Sequence, residues 1–253
     1  MATTSVAAAR KPTAIAPPKY DRIFFSSLAI VMMLGVIVGF APTYYARLMG
    51  SAPLHTTSHR PFTFLVHLHG ALFSSWVLLF IVQTALVATH RVKVHMTLGI
   101  AGAVLAAAMV AVGISTAVQA MRAGTAIPGV TPQAFFAIPF FDMVLFAGFV
   151  GLALWYRKNK ETHKRLMVMA YISIITAAVA RWPGVLPLGP IGFYGFTMIF
   201  LVAAIIYDAI TRRRVHPVYW WGGAAILVSV PGRLALSSTH AWQNFASWLA
   251  HLS

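Results

Sequence analysis

Residues 62–95 read FTFLVHLHGALFSSWVLLFIVQTALVATHRVKVH, an apolar run with His67 and His69 near its start and a basic turn holding His90, Arg91, Lys93 and His95 at its end. A bilayer core of about 30 Å takes roughly 20 apolar residues per helix, and this run is longer. No segment of the chain alternates polarity at period two as a membrane barrel strand would, so helices are the spanning structure left. The stretch predicts a transmembrane helix over 62–89, and the rest of the chain repeats its pattern.

Of the 253 residues, 59% are hydrophobic and 9% charged, with a mean hydropathy of +0.79; a soluble domain of this size has a more polar composition. Further apolar runs predict helices over 23–41, 96–120, 135–156, 166–182, 191–210 and 218–236. The expected fold is an all-α polytopic membrane protein with seven transmembrane helices. Residues 1–22, rich in Ala, Thr and Pro, are expected to form a disordered tail without the layout of a cleaved signal peptide. Residues 237–253 set Trp242, Phe245, Trp248, Leu249 and Leu252 at helical spacing behind Ser238 or Thr239 as cap, which predicts an amphipathic helix lying in the membrane interface.

The positive-inside bias tests these spans. Arg10, Lys11, Lys19, Arg22, Arg91, Lys93, Arg157, Lys158, Lys160, Lys164, Arg165, Arg212, Arg213 and Arg214 fall on one side, and only Arg47, Arg60, Arg122, Arg181 and Arg233 on the other. The expected topology therefore has a cytoplasmic N-terminus and an outer C-terminal helix. The net charge of +15 becomes a topology signal rather than a nucleic-acid face, and the expected partners of the basic turns are anionic lipid headgroups.

The chain has no cysteine, which excludes disulfides, thiolate metal sites and Cys-linked haem, so a cofactor would bind through His, Met, carboxylate or Tyr. An ionisable group inside a bilayer costs about 2.5–3.5 kcal/mol on insertion scales and is a functional candidate by default. His67 and His69 lie roughly 8–10 Å inside the outer end of their helix at the helical rise, and Asp142 enters from the same side to a similar depth. Arg181 and Arg233 close later helices at that end. His67 and His69 point about 200° apart, so one of them faces the bundle; His69 is favoured because it shares a face with Phe73, Trp76 and Gln83. Three readings follow for this end: a metal or haem site at His69 and Asp142, an ion pair of Asp142 with Arg181, and a polar pocket for a quinone, lipid headgroup or small substrate.

At the cytoplasmic end, His95 and His163 lie on different helices at one depth, the condition for a bis-His haem. The competing use of these turns is headgroup contact through Arg91, Lys93, Lys164 and Arg165. Asp208, four residues before Arg212, predicts a helix-end ion pair.

The motifs H-L-H-G (67–70), H-M-T-L-G (95–99), F-D (141–142), H-K-R-L-M (163–167), A-R (180–181), Y-D (207–208) and V-H-P (215–217) together resemble bacterial multi-pass membrane proteins catalogued as domains of unknown function. The likeness spans about residues 62–233, and the H-K-R-L-M helix is its most specific part. The His-bearing hairpins are more distantly similar to small membrane proteins of cytochrome oxidase assembly, which implies bound haem or copper; this chain departs from them in lacking cysteine and a Met-rich copper motif.

Two functional classes follow. One is a redox or cofactor-assembly protein that binds haem or a transition metal through histidine. The other is a non-catalytic subunit of a respiratory or photosynthetic membrane complex, docking through Trp220, Trp221, Phe140, Phe141 and the outer Trp-rich segment, or a lipid- or quinone-binding protein. A retinal protein is excluded because no lysine lies inside a span. Hydrolases are unsupported: neither H-E-x-x-H nor G-x-S-x-G occurs, and the chain holds four acidic residues in all.

Overall fold

The computed structural model describes residues 20–50, 62–127 and 129–252. The expected N-terminal tail up to residue 19, and Arg60 of the outer set, lie outside them. All regular structure among the described residues is helical. α1 is Asp21–Leu48, with a π turn at Ala41–Tyr45; α2 is Phe64–Ala88, α3 Val92–Arg122, α4 Pro132–Trp155, α5 Lys160–Val179, α6 Gly189–Arg212, α7 Pro217–Ser237 and α8 His240–His251.

Local sequence explains where the helices begin. Thr63, Thr131, Asn159, His216 and Thr239 each accept a hydrogen bond from a backbone N–H in the first turn of the following helix, covering donors that no intrahelical carbonyl can reach. Thr239 is the cap of α8, so the last two helices are separate, and α7 runs unbroken through Pro231 to reach it. The α2–α3 turn is tight enough to hold His90 at φ +64°. Asp21 and Arg22, expected as the end of the tail, belong to α1.

Packing is a ring around a centre. α1, α2, α3, α4, α7 and α6 each contact the next and the ring closes on α1, while α5 packs on α1, α4, α6 and α7. From Arg165 onward nearly every residue of α5 is buried. This arrangement explains a contrast in composition. α1, α2, α3, α4 and the segment Leu186–Arg212 are long and apolar enough to cross a membrane, and they mark the chain as a helical membrane protein. α5 and α7 are not among these five; α5 is the less apolar of the two and has protein instead of lipid around it, so its polar side chains find protein partners. The ring helices expose large apolar residues outward, among them Ile30, Val31, Ile100, Val104, Ile199 and Val228.

α1 reaches α5 through glycine. A Cβ built on Gly39 would run into the backbone carbonyl of Ala178, so only glycine lets the two helices cross this closely, and Trp182 beside the crossing donates to the carbonyl of Gly35 at 2.9 Å. Because the obstacle is backbone and cannot swing away, Gly39→Ala is expected to lower stability by about 1–3 kcal/mol through overpacking. Thermal unfolding in detergent checks this, and an unchanged midpoint would contradict the crossing.

α8 lies against the end of the bundle opposite the basic turns. Trp242 is buried against Phe136, Phe140 and Phe141 and donates to the carbonyl of Gln133 at 2.8 Å, while Arg122 donates to the carbonyl of Leu249 at 3.1 Å. Phe245, Trp248 and Leu252 remain exposed. The helix thus has one aromatic face on the protein and another turned away from it.

Candidate functional site

The basic turns gather at one end of the bundle. Arg22 donates to Nε2 of His90 at 2.5 Å, joining the start of α1 to the α2–α3 turn. At the heart of this end, three cations meet three carboxylates. Arg165, fully buried, donates from Nε and Nη2 to the two oxygens of the equally buried Asp208 at 2.9 and 2.5 Å. It also donates to Glu161 at 2.8 Å. Lys164 pairs with Asp21 and Glu161, and Arg212 reaches Asp21 at 2.6 Å and Glu161 at 3.0 Å. The Tyr207 hydroxyl donates to Asp21 at 2.8 Å. The expected Asp208–Arg212 contact is present at 3.2 Å, but the fork from Arg165 is the closer partner. Arg165 is therefore shut off from lipid phosphates and Lys164 is held by carboxylates, which leaves Arg91 and Lys93 as the exposed cations beside His95.

His216 borders this network. Its Nδ1 accepts from the Val218 N–H at 3.2 Å, a role open only to the neutral ring. Burial, and then the positive charge of Arg165, hold its pKa below the ordinary 6.5. The folded chain thus binds fewer protons at this site than the unfolded chain, and the contribution to stability is present above about pH 6.5 and lost as the pH falls through the depressed folded value. Stability measured from pH 7.5 down to 5 should decline less in His216→Asn, which keeps a capping oxygen without titrating; identical slopes in the two proteins would contradict the assignment.

The structure brings His95 and His163 together. Their ring centres are 6.3 Å apart with planes near perpendicular, one ring from the first turn of α3 and one from the first turn of α5. Nδ1 of His163 lies 2.8 Å from the carbonyl oxygen of Ala153, to which it donates. The carboxamide of Gln83 lies 2.7 Å from Nδ1 of His95. A carboxamide serves either tautomer, since it donates to a bare nitrogen in one orientation and accepts from N–H in the other. Nδ1–H of His163 donates to an oxygen, which leaves its Nε2 with the free lone pair, the state in which histidine ligates a metal with its second nitrogen anchored, whereas at His95 the Gln83 orientation that also accepts from the Gly99 N–H donates its amide N–H to Nδ1.

The opposite end divides into two separate groups. Asp142 does not meet Arg181 or His69: its partner is Arg233 of α7 at 2.7 Å, and the Tyr194 hydroxyl of α6 donates to the same carboxylate oxygen at 2.7 Å. Arg233 also donates to Tyr194, to the carbonyl of Ile138 at 3.1 Å and to Ser229 at 2.7 Å. Every member is buried or nearly so, and the group is closed on itself, a clamp of α4, α6 and α7. His69 faces inward, stacked on Phe73 with centroids 4.0 Å apart, and its Nδ1 is buried without a partner. Arg181 donates to the carbonyl of Ala177 at 2.5 Å and lies over the Phe40 ring at 4.8 Å. His67 stays on the outside of the bundle between Phe62 and Tyr44.

Among the described residues, no three His, Asp or Glu side chains gather as a ligand set. Fold and site define a class, a helical membrane protein with a histidine pair at its basic end and a closed Asp–Arg–Tyr clamp at the other. No family model, curated protein or solved structure matches the chain.

Proposed function

We propose that the chain is a seven-span protein of the bacterial inner membrane, with its N-terminus in the cytoplasm and α8 in the outer interface, in which His95 and His163 hold a haem iron or another transition metal for a redox or cofactor-assembly role. The topology draws support from the contacts Arg22–His90, Asp21–Lys164, Arg165–Asp208 and His95–His163, which join at one end all the turns that carry the excess of basic residues. The shielding of α5 by its neighbours accounts for its polar content within a spanning bundle.

The observation that carries the functional reading is the His95–His163 approach. The two rings come from different helices with their centres 6.3 Å apart, near enough that one metal ion would be within reach of a nitrogen of each. With two protein ligands and no third among the described residues, the remaining coordination would come from a porphyrin or small exogenous ligands. Bound there, the metal would supply one-electron exchange. The protein's share is to hold the rings: the Ala153 carbonyl fixes the Nδ1 proton of His163 and makes its Nε2 more basic, and Gln83 orients the His95 ring through Nδ1. Arg91 and Lys93, exposed beside His95, suit haem propionates or anionic headgroups.

The absorption spectrum and elemental analysis of the purified protein test this. A haem band or one transition metal per chain is the expected result. A flat visible spectrum with no stoichiometric metal overturns it and favours a lipid-binding or subunit role.

A further inference from the structure

The outward side of α2 ends in a groove. Val82, Ala85, Leu86, Thr89 and Arg91 line about 260 Å³ of open space there, and spacings of three and four residues set the first four on one face of the helix. Val82 and Ala85 are exposed, so this face is free of protein neighbours. The groove is apolar along most of its length and carries its charge at one end, where Arg91 stands exposed.

The way α2 terminates puts Arg91 over the groove. The His90 N–H donates to the carbonyl of Val87 at 3.3 Å and the Arg91 N–H to that of Leu86 at 2.8 Å, the paired bonds of a helix end whose next residue is left-handed. Glycine is the usual occupant of that position. Here it is His90, at φ +64°, and its ring accepts from Arg22 of α1, so the turn is tied to its own helix by backbone and to α1 by side chain. The residue after such a turn commonly packs an apolar side chain back on the last turn of the helix. Arg91 holds that place instead, with Leu86 in the same groove; its methylene stem suits the apolar bed and its guanidinium the polar rim.

No acidic side chain competes for this guanidinium. The chain has four acidic residues, and each is paired elsewhere: Asp21, Glu161 and Asp208 in the basic-end network and Asp142 with Arg233. We propose that the groove binds one anionic phospholipid, with an acyl chain along Val82, Ala85 and Leu86 and the phosphate on Arg91. The charge and the shape select this occupant together: the apolar face takes the chain, and a guanidinium without a counter-ion makes paired N–H bonds to a phosphate. The site rests on the spanning orientation, which sets this end of α2 at the cytoplasmic headgroups, and it needs nothing from the histidine pair.

Because the chain has no cysteine, Leu78→Cys gives a single labelling position, exposed and one turn from Val82. The full chain, carrying a fluorophore there, is titrated in micelles of neutral detergent with phosphatidylglycerol or phosphatidylcholine brominated on the acyl chain, which quenches a fluorophore close to it. Inorganic phosphate is then added as competitor. The expected result is saturable quenching by phosphatidylglycerol at a mole fraction roughly tenfold below that for phosphatidylcholine, with the midpoint raised about fivefold in Arg91→Gln and less in Arg91→Lys. Arg157→Gln, an exposed cation of the α4–α5 turn, should move it little, and phosphate should not reverse the quenching. Equal midpoints for the two lipids, or an unchanged midpoint in Arg91→Gln, would overturn the site. An equal shift in Arg157→Gln would reduce it to the general charge of the basic end and overturn it as well, and reversal by inorganic phosphate would overturn the lipid in favour of a free anion. The quenching requires no metal, so its outcome is separate from that of the metal analysis.

Discussion

Asp208→Asn is expected to destabilise the protein by about 3–5 kcal/mol, because it leaves the fully buried Arg165 without its bidentate partner. Glu161 cannot take over the charge alone, since it is partly exposed and shared with Lys164 and Arg212. The variant also weakens the bond from the His216 N–H to Asp208, 3.2 Å long, which ties the α6–α7 connection to the network. Replacing both partners together, Arg165→Met with Asp208→Leu, should recover much of the loss, because an apolar pair in the same space has no charge to desolvate. Reversible unfolding in mixed micelles measures the cycle. A single-variant loss below about 1 kcal/mol, or strict additivity of the two substitutions, would contradict the packing of α5 on α6 through this pair.

At the other end the two partners should behave unequally. Asp142→Asn strands Arg233, which cannot give up its proton, and is expected to cost about 3–5 kcal/mol. Arg233→Met strands Asp142, but a carboxyl group can take up a proton and remain as a neutral donor and acceptor beside Tyr194, so its loss should be smaller. Tyr194→Phe removes one bond of the clamp and should cost about 1–3 kcal/mol. The order Asp142→Asn, then Arg233→Met, then Tyr194→Phe is the checkable content. The reverse order for the first two would mean that the carboxylate, rather than the guanidinium, is the group that cannot be left alone.

Much of the helix order was legible in residues 62–95 and their repeats, because long apolar runs separated by basic turns leave few alternatives. The inward face of α2 was legible as well: His69, Phe73, Trp76 and Gln83 follow from helical periodicity. What periodicity could not supply was pairing. Asp142 has several arginines at its depth, and sequence spacing favoured Arg181 on the next helix, whereas the ring order puts α7 beside α4 and so delivers Arg233. Arg165 looked like a headgroup ligand because it stands in a basic turn, yet α5 is the central helix and carries it into the protein. Asp21 looked like the edge of a tail, but the first turn of α1 abuts α5 and makes it the partner of Lys164 and Arg212. Each of these depends on which helices are neighbours, a property of tertiary packing. Tyr194 and the Gln83 contact to His95 were invisible for the same reason.

The most direct test of the central claim is the haem and metal content per chain of the wild-type protein beside His95→Ala, His163→Ala and His69→Ala, purified identically. The expected result is near-stoichiometric content in wild type and in His69→Ala, with at least a tenfold fall in each of the other two. Equal content in all four proteins, or a loss confined to His69→Ala, would contradict a metal centre at the basic end.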